Sequence, residues 1–216
     1  MAPPDDGTSR RARLARSQLY VVTGARAAQG DLEEFLEAIL EAGIDIVQLR
    51  EKEAEGGDLL RWGEAFRRAA ERHRALFFVN DRADVAAAVG ADGVHMGQND
   101  LPVEVTRRLV GRDMLIGLST HDEAQLRAAS PQADYVCVGP IHQTPTKPGR
   151  AATGLRVVRA AARDERRPWF AIGGIDRATL PAVVGAGARR IVVVRAVTDA
   201  PDPAEAVRCL REGLPA

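Results

Sequence analysis

The stretch Leu76-Phe77-Phe78-Val79-Asn80-Asp81-Arg82 decides the fold, because it is a short, wholly apolar run that ends abruptly in polar residues. A near-continuous apolar run of this length is typical of a strand buried on both faces, as in a parallel sheet. Similar runs recur at fairly even intervals along the chain. Together they are 19–23, 44–50, 76–80, 93–97, 115–119, 135–139, 170–173 and 191–194.

Amphipathic segments with helical periodicity separate these runs, as in 32–41, where five apolar side chains fall on one face. Parallel strands need a crossover of a dozen or more residues, and such helices supply it. Eight strand–helix pairs predict an α/β protein with a single (β/α)8 TIM barrel over residues 18–212. The rival is a flavodoxin-like or Rossmann sheet, which usually has five or six strands, and no GxGxxG motif follows the first strand here.

Composition limits the classes of function. The chain has 216 residues, 45% of them hydrophobic, which suffices for one sizeable core. Lys+Arg and Asp+Glu number 30 each, so the charge balance favours neither a nucleic-acid nor a membrane partner. No apolar run reaches the ~18 residues of a transmembrane helix. Cys137 and Cys209 lack CxxC spacing and make no disulfide framework, so we expect a cytoplasmic location.

Residues 1–17 are expected to form a flexible basic arm in front of the barrel. They contain Arg10, Arg11, Arg13 and Arg16 but no apolar segment of the kind that a secretory signal requires. An organelle transit peptide is the alternative. Chain ends fray unless another element holds them.

The end of the second strand carries candidate anion-binding residues. In a parallel barrel, functional residues collect at the carboxyl ends of the strands. Gln48, Arg50 and Lys52 follow one another at alternate positions and therefore share one side of the strand. A planar guanidinium and an ammonium suit a polyanion such as a diphosphate. The alternative is an exposed strand end whose cations pair with Glu51 and Glu53.

Two aspartates follow the third and fourth strands. Asp81 comes directly after the third strand, and Asp100 lies a few residues beyond the fourth. Each could cap the helix that follows it. Together they could share one Mg²⁺, which takes one or two carboxylates, substrate phosphates and water. His95, inside the fourth strand, is expected to face the barrel interior and not to bind metal.

The later strands end in residues suited to a second anion. Ser119 could contact a ligand or cap a helix, and His121 is expected at the surface in the first turn of a helix, with acid–base chemistry as the alternative. The loop 139–149 after the sixth strand predicts a lid over an anion, or otherwise an idle surface loop. Gly173-Gly174 and Val194-Arg195 follow strands seven and eight, the usual phosphate-binding corner of such barrels.

In their order and spacing these motifs resemble the thiamine-phosphate synthase family, also called thiamine-phosphate pyrophosphorylase. The resemblance covers about Gln18 to Arg211 and is carried by the stretches 47–52, 80–82, 93–100, 117–119, 144–147 and 171–175. The family joins a hydroxymethylpyrimidine diphosphate to a thiazole phosphate, giving thiamine phosphate and diphosphate. The implied chemistry is Mg²⁺-assisted, dissociative loss of diphosphate, followed by capture of the pyrimidine cation by the thiazole nitrogen.

The resemblance implies a role for each matching residue. The pyrimidine diphosphate would be bound by Gln48, Leu49, Arg50, Glu51, Lys52, Asn80, Ser119 and Lys147. The thiazole phosphate would be bound by Thr144, Pro145, Thr146, Gly174, Val194 and Arg195. Asp81 and Asp100 would bind Mg²⁺, and the catalytic groups would be Arg50, Lys52, Lys147 and Ser119.

Two positions depart from the family's pattern. Asn99 stands where an acidic residue is more common, and Arg195 stands where serine is frequent. A cation at 195 should tighten phosphate binding unless a neighbouring acid pairs with it.

Three other functions stay open on sequence alone: a thiazole tautomerase or regulatory relative that uses His121, another phosphate-handling isomerase or epimerase, and a non-catalytic sensor. The expected partners are small-molecule substrates, with no nucleic acid or membrane, and a homo-oligomer stays open.

Overall fold

A computed structural model describes residues 6–144 and 152–215. In these residues eight parallel strands pair in chain order and close into a barrel, with β8 returning to β1. This confirms the predicted (β/α)8 architecture. The strands are β1 Leu19–Thr23, β2 Ile46–Leu49, β3 Leu76–Asn80, β4 Gly93–Met96, β5 Leu115–Thr120, β6 Tyr135–Val138, β7 Trp169–Ile172 and β8 Ile191–Val193.

Helices follow each strand and cover the outside of the barrel, and one further helix precedes β1. They are α1 Gly7–Arg16, α2 Leu32–Glu41, α3 Gly56–His73, α4 Ala83–Ala88, α5 Val103–Val110, α6 Glu123–Ala128, α7 Gly154–Asp164, α8 Leu180–Gly185, α9 Arg195–Thr198 and α10 Pro203–Glu212. Among the described residues, no helix is both long and apolar enough to cross a membrane.

Alternation along each strand sorts the side chains into two apolar layers. In β1, Leu19 and Val21 belong to the cluster shared with the helices, whereas Tyr20 and Val22 belong to a second cluster inside the barrel. That inner cluster makes the barrel a filled core and not a pore. A ligand therefore has room only above this core, where the strands end.

Aromatic rings fill the middle of the barrel. Tyr20, Phe78, Tyr135 and Phe170 meet with centroids between 5.4 and 6.2 Å apart, mostly edge to face. Gly117, opposite them on β5, has to be glycine because a Cβ there would overlap the ring of Tyr135. Gly93 on β4 leaves room for the ring of Phe78 in the same way, so the packing of this layer depends on two positions without a side chain.

Helix α1 corrects the expectation of a flexible basic arm for residues 7–16. Leu14 is 1% exposed and joins the cluster inside the barrel. Arg10 Nε lies 3.0 Å from Asp92 Oδ1, and Arg11 Nε lies 2.8 Å from Asp134 Oδ1. The segment is ordered because its apolar and charged groups meet partners about 80 and 120 residues away along the chain.

Two of those partners belong to a set of three aspartates that lie before strands and tie neighbouring strands together. Asp45, Asp92 and Asp134 directly precede β2, β4 and β6. Their carboxylates accept backbone N–H groups of Leu19, Phe77 and Ile116 at 2.9, 2.9 and 2.8 Å. Arg211 reaches Asp45 in the same way that α1 reaches the other two, at 2.6 Å. All of these contacts lie at the amino-terminal end of the barrel, opposite the strand ends that carry polar residues.

Candidate active site

Two adjoining cavities open where the strands end. The first lobe, of about 500 Å³, lies beside β2–β4 and includes Gln48, Arg50, Lys52, Asn80, Asp81 and Asp100. The second lobe, of about 310 Å³, lies beside β6–β8 and includes Thr144, Gly173, Gly174, Val194 and Arg195. Ser119 and His121 line both lobes. Two ligands bound side by side would therefore meet near these two residues.

The cations of the first lobe face the cavity and not the neighbouring glutamates. Lys52 Nζ lies 3.4 Å from Asp81 Oδ2 on the next strand. Within the described part of the chain, neither Arg50 nor Lys52 forms an ion pair with Glu51 or Glu53. Arg50 is fixed through its backbone, whose N–H donates to Thr23 O at 2.9 Å. This arrangement disfavours the alternative of a strand end stabilised by local ion pairs.

Asp81 and Asp100 lie close to each other, and neither caps a helix. Helix α4 begins after Arg82 and α5 begins after Pro102, both without a side-chain cap. Asp81 has a φ of 61°, a left-handed backbone that aspartate tolerates better than most residues. Asp100 Oδ2 accepts the N–H of Gly97 at 2.6 Å. Both carboxylates consequently line the first lobe.

Burial and the adjacent carboxylate of Asp100 raise the pKa of Asp81, and Lys52 opposes this shift. Two carboxylates that repel one another in this way suit a divalent cation between them. Among residues 6–144 and 152–215, no group of three or more His, Cys, Asp and Glu side chains could hold a metal. A pair is nevertheless enough for Mg²⁺, which commonly completes its octahedron with phosphate oxygens and water.

The second lobe offers backbone groups and one cation, Arg195, and Asp176 and Asp199 also line it. Gly174 has a φ of 63°, and a Cβ there would lie 2.6 Å from Cβ of His142, so only glycine lets the two loops approach. Arg195 is exposed at the start of α9. No carboxylate of the described residues forms an ion pair with it. Arg195 is thus available to an anion in this lobe.

The floor of the first lobe is formed by a row of buried polar side chains that the sequence patterns only partly indicated. His95 is buried inside the barrel, as expected, where its Nδ1 lies 2.9 Å from the hydroxyl of Tyr135 and its Nε2 lies 2.9 Å from Ser119 Oγ. Tyr20 and Gln48 continue the row. The sequence shows that each of these polar side chains lies at an inward position of an apolar strand. No local pattern shows that they contact one another.

Some expected residues lie elsewhere. The side chain of Leu49 packs between the barrel and the helices, and Glu51 Oε1 accepts the N–H of Ala25 at 2.7 Å, so neither side chain lines a lobe. Pro145, Thr146 and Lys147, with most of the expected lid, lie outside the described residues.

His121 precedes α6, whose cap is Asp122. Its Nδ1–H donates to Gly139 O at 2.6 Å. The side chain lines both lobes and so is not simply a surface histidine in the first helical turn.

A filled barrel with cations, a carboxylate pair and a glycine corner around a double cavity defines an enzyme that handles phosphorylated substrates. Residues 19–197 match the family described as thiamine monophosphate synthase. The chain belongs to this family and is therefore an enzyme of the transferase class, which makes thiamine phosphate.

Individual relatives agree with this assignment. The chain is 56% identical to the thiamine-phosphate synthase of Acidothermus cellulolyticus, with 91% of this chain and 94% of the relative covered. It is 54% identical to that of Mycobacterium tuberculosis, with 94% and 97% covered. Among solved structures, thiamine phosphate pyrophosphorylase from Pyrococcus furiosus matches with a TM-score of 0.83 and 32% identity, over 94% of this chain and 96% of that one.

Proposed function

We propose that this enzyme condenses 4-amino-2-methyl-5-hydroxymethylpyrimidine diphosphate with 4-methyl-5-(2-phosphoethyl)thiazole, releasing diphosphate. The observation that carries the proposal is the double cavity, in which one lobe holds the carboxylate pair with two cations and the other holds the glycine corner with Arg195. Two separate anion sites suit a reaction between two phosphorylated substrates.

In the first lobe, Arg50 and Lys52 would bind the diphosphate and stabilise the negative charge that grows on it as it leaves. Asn80, on the adjacent strand end, would add a neutral hydrogen-bond donor. Lys147 is proposed to join them, as the family resemblance implies. Because the leaving group departs with its electrons, the step needs charge stabilisation and little acid–base chemistry.

Asp81 and Asp100 would hold a divalent cation in the same lobe. A bound Mg²⁺ would supply further charge stabilisation to the departing diphosphate and orient it. Lys52, 3.4 Å from Asp81, would then contact both the metal-binding carboxylate and the diphosphate.

The second lobe would anchor the thiazole phosphate through Gly174, Val194 and Arg195, with Thr144 and, by resemblance, Pro145 and Thr146. Anchoring the phosphate holds the thiazole nitrogen facing the carbon that loses diphosphate, which is a gain from orientation. The shared wall, with Ser119 and His121, is where the new bond would form. Excluding water there matters because water would trap the pyrimidine cation.

The test is turnover of the two substrates with Mg²⁺ and with EDTA, following diphosphate and thiamine phosphate together. We expect equal amounts of both products with Mg²⁺ and a large loss with EDTA. Equal rates in EDTA would remove the metal site from the proposal. A folded enzyme that binds thiazole phosphate but makes no product would overturn the condensation, and His121 would become the residue to mutate.

The proposed partners are these two small molecules. We also propose a cytoplasmic site of action, since neither Cys137 nor Cys209 forms a disulfide, as a reducing compartment favours.

A further inference from the structure

A continuous row of hydrogen-bonded side chains runs through the barrel interior from Gln48 to Ser119. Gln48 Nε2 contacts the hydroxyl of Tyr20, which lies 3.1 Å from that of Tyr135. Tyr135 lies 2.9 Å from His95 Nδ1, and His95 Nε2 lies 2.9 Å from Ser119 Oγ. All five side chains are buried. Gln48, Tyr20, His95 and Ser119 line the floor of the first lobe, and Tyr135 lies beneath them.

Counting protons gives this row a direction. The amide nitrogen of Gln48 can only donate, so Tyr20 accepts from it. Among the described contacts, the acceptor within reach of the Tyr20 proton is the hydroxyl of Tyr135, and a buried hydroxyl proton without an acceptor is costly. Tyr135 then donates to Nδ1 of His95. An imidazole that accepts at Nδ1 carries its proton on Nε2, and this N–H points to Ser119 Oγ.

The last member of the row is Ser119. A hydroxyl has one proton, and its oxygen here already accepts from His95. The proton of Ser119 is therefore left to point away from His95, and Ser119 lines both lobes. At the opposite end, the amide of Gln48 keeps its oxygen for a ligand in the first lobe.

We propose that Tyr20, Tyr135 and His95 are positioning residues that fix the hydrogen-bonding polarity of the substrate site: Gln48 presents an acceptor and Ser119 presents a donor. None of the three needs to touch the reacting atoms. Resting on the proposed function, the row would match an aminopyrimidine, which offers an amine donor beside a ring-nitrogen acceptor. A ligand with the opposite pattern would leave Gln48 and Ser119 unsatisfied, at a cost comparable to a lost hydrogen bond.

The first experiment measures the tautomer of His95 by ¹⁵N NMR of the histidine side chains in the ligand-free enzyme at neutral pH. The chain has four histidines, so His73→Gln, His121→Gln and His142→Gln variants assign the signals. We expect a neutral His95 protonated on Nε2. A ring protonated on Nδ1, or on both nitrogens, would overturn the proposal. The result does not depend on turnover and so is separable from a failure of the proposed function.

Three variants then separate polarity from packing. Tyr135→Phe should release the tautomer towards Nδ1–H, since the donor to Nδ1 is gone. Tyr20→Phe should leave the tautomer unchanged but free the amide of Gln48. Phe170→Leu is the control, because Phe170 packs against both tyrosines at 5.7 and 5.6 Å but lacks a hydroxyl. If Phe170→Leu changes the tautomer as Tyr135→Phe does, or Tyr135→Phe changes nothing, the row is only structural.

Kinetics provide the second readout. Tyr135→Phe and Tyr20→Phe should each raise KM for the pyrimidine diphosphate roughly tenfold, about the effect of one hydrogen bond. KM for the thiazole phosphate should stay unchanged in both, since its anchor lies in the other lobe. Equal increases in both KM values, or none, would argue against a role in presenting Gln48 and Ser119.

Discussion

At the scale of single residues, Asp81 carries the strongest constraint on the chemistry. Its sequence position before a helix suits a cap, yet α4 has no side-chain cap and Asp81 turns towards the first lobe. Its pKa is raised by burial and by Asp100, whereas Arg82 lowers the pKa of Asp84, three residues further on. Two aspartates so close in sequence therefore make opposite contributions to stability.

Asp81→Asn should abolish Mg²⁺-dependent turnover without destabilising the metal-free protein. Asparagine tolerates the left-handed backbone at this position and removes the repulsion with Asp100. Asp84→Asn is the control, since it removes an exposed ion pair with Arg82 and should leave turnover intact with a small loss of stability. Activity with Mg²⁺ measures the turnover of the two variants, and thermal unfolding in EDTA measures their stability. Normal activity of Asp81→Asn would exclude Asp81 as a metal ligand.

Stability in EDTA should depend on pH through the same carboxyl. Because its pKa is raised in the folded state, ionisation of Asp81 costs stability as pH rises through that pKa. Towards neutral pH, the unfolding temperature of the wild type should therefore fall below that of Asp81→Asn. The two unfolding temperatures should converge near pH ~4, around the unfolded pKa of aspartate. Mg²⁺ should raise the wild-type unfolding temperature more at neutral than at acidic pH, because protons compete for the site. Parallel curves for the two proteins at all pH values would contradict this.

At the scale of elements, α1 is part of the barrel's closed end. The aspartates directly before β2, β4 and β6 accept backbone N–H groups and also pair with arginines from α1, α5 and α10. Leu14 packs against the apolar interior at the amino-terminal end of the barrel. The element acts on stability and lies at the end of the barrel opposite the two lobes.

Leu14→Ala should lower the free energy of unfolding by about 2–5 kcal/mol, the usual cost of removing a buried leucine side chain. It should leave kcat and both KM values unchanged at temperatures where the variant is folded. Arg16→Ala, on the exposed side of α1, should change stability by less than about 0.5 kcal/mol. Chemical denaturation and steady-state kinetics make the comparison. Equal effects of the two substitutions would show that α1 is not docked.

At the scale of the whole molecule, the barrel separates two anion sites while letting them share a wall. The cations of the first lobe, Arg50 and Lys52, follow β2, and the cation of the second lobe, Arg195, follows β8. Since β1 lies between these strands in the closed sheet, the cations that line one lobe do not line the other.

This separation should appear as a crossed pattern in substrate dependence. Lys52→Ala should lower kcat/KM for the pyrimidine diphosphate roughly 100-fold, as for loss of one transition-state stabiliser, and spare KM for the thiazole phosphate. Arg195→Ala should raise KM for the thiazole phosphate roughly tenfold and spare the pyrimidine diphosphate. Initial rates with each substrate varied in turn test both. If Arg195→Ala affected the pyrimidine diphosphate instead, the assignment of the lobes would be reversed.

The sequence by itself determined the barrel, because the recurrent apolar runs and the amphipathic periodicity between them are patterns of consecutive residues. It also indicated most of the residues that line the two lobes, such as Arg50, Asp81 and Gly174, since the fold places every strand end on one face. These inferences needed only local pattern and one general rule about parallel strands.

Only the tertiary structure decided what touches what. It docked α1, turned the side chains of Leu49 and Glu51 away from the cavity, and brought Tyr20 to Tyr135 across 115 residues. It also showed that Asp100 and Lys52 are the groups acting on Asp81. Such contacts depend on strand register and closure of the barrel, which join distant residues in space and leave no signal in the sequence around either one.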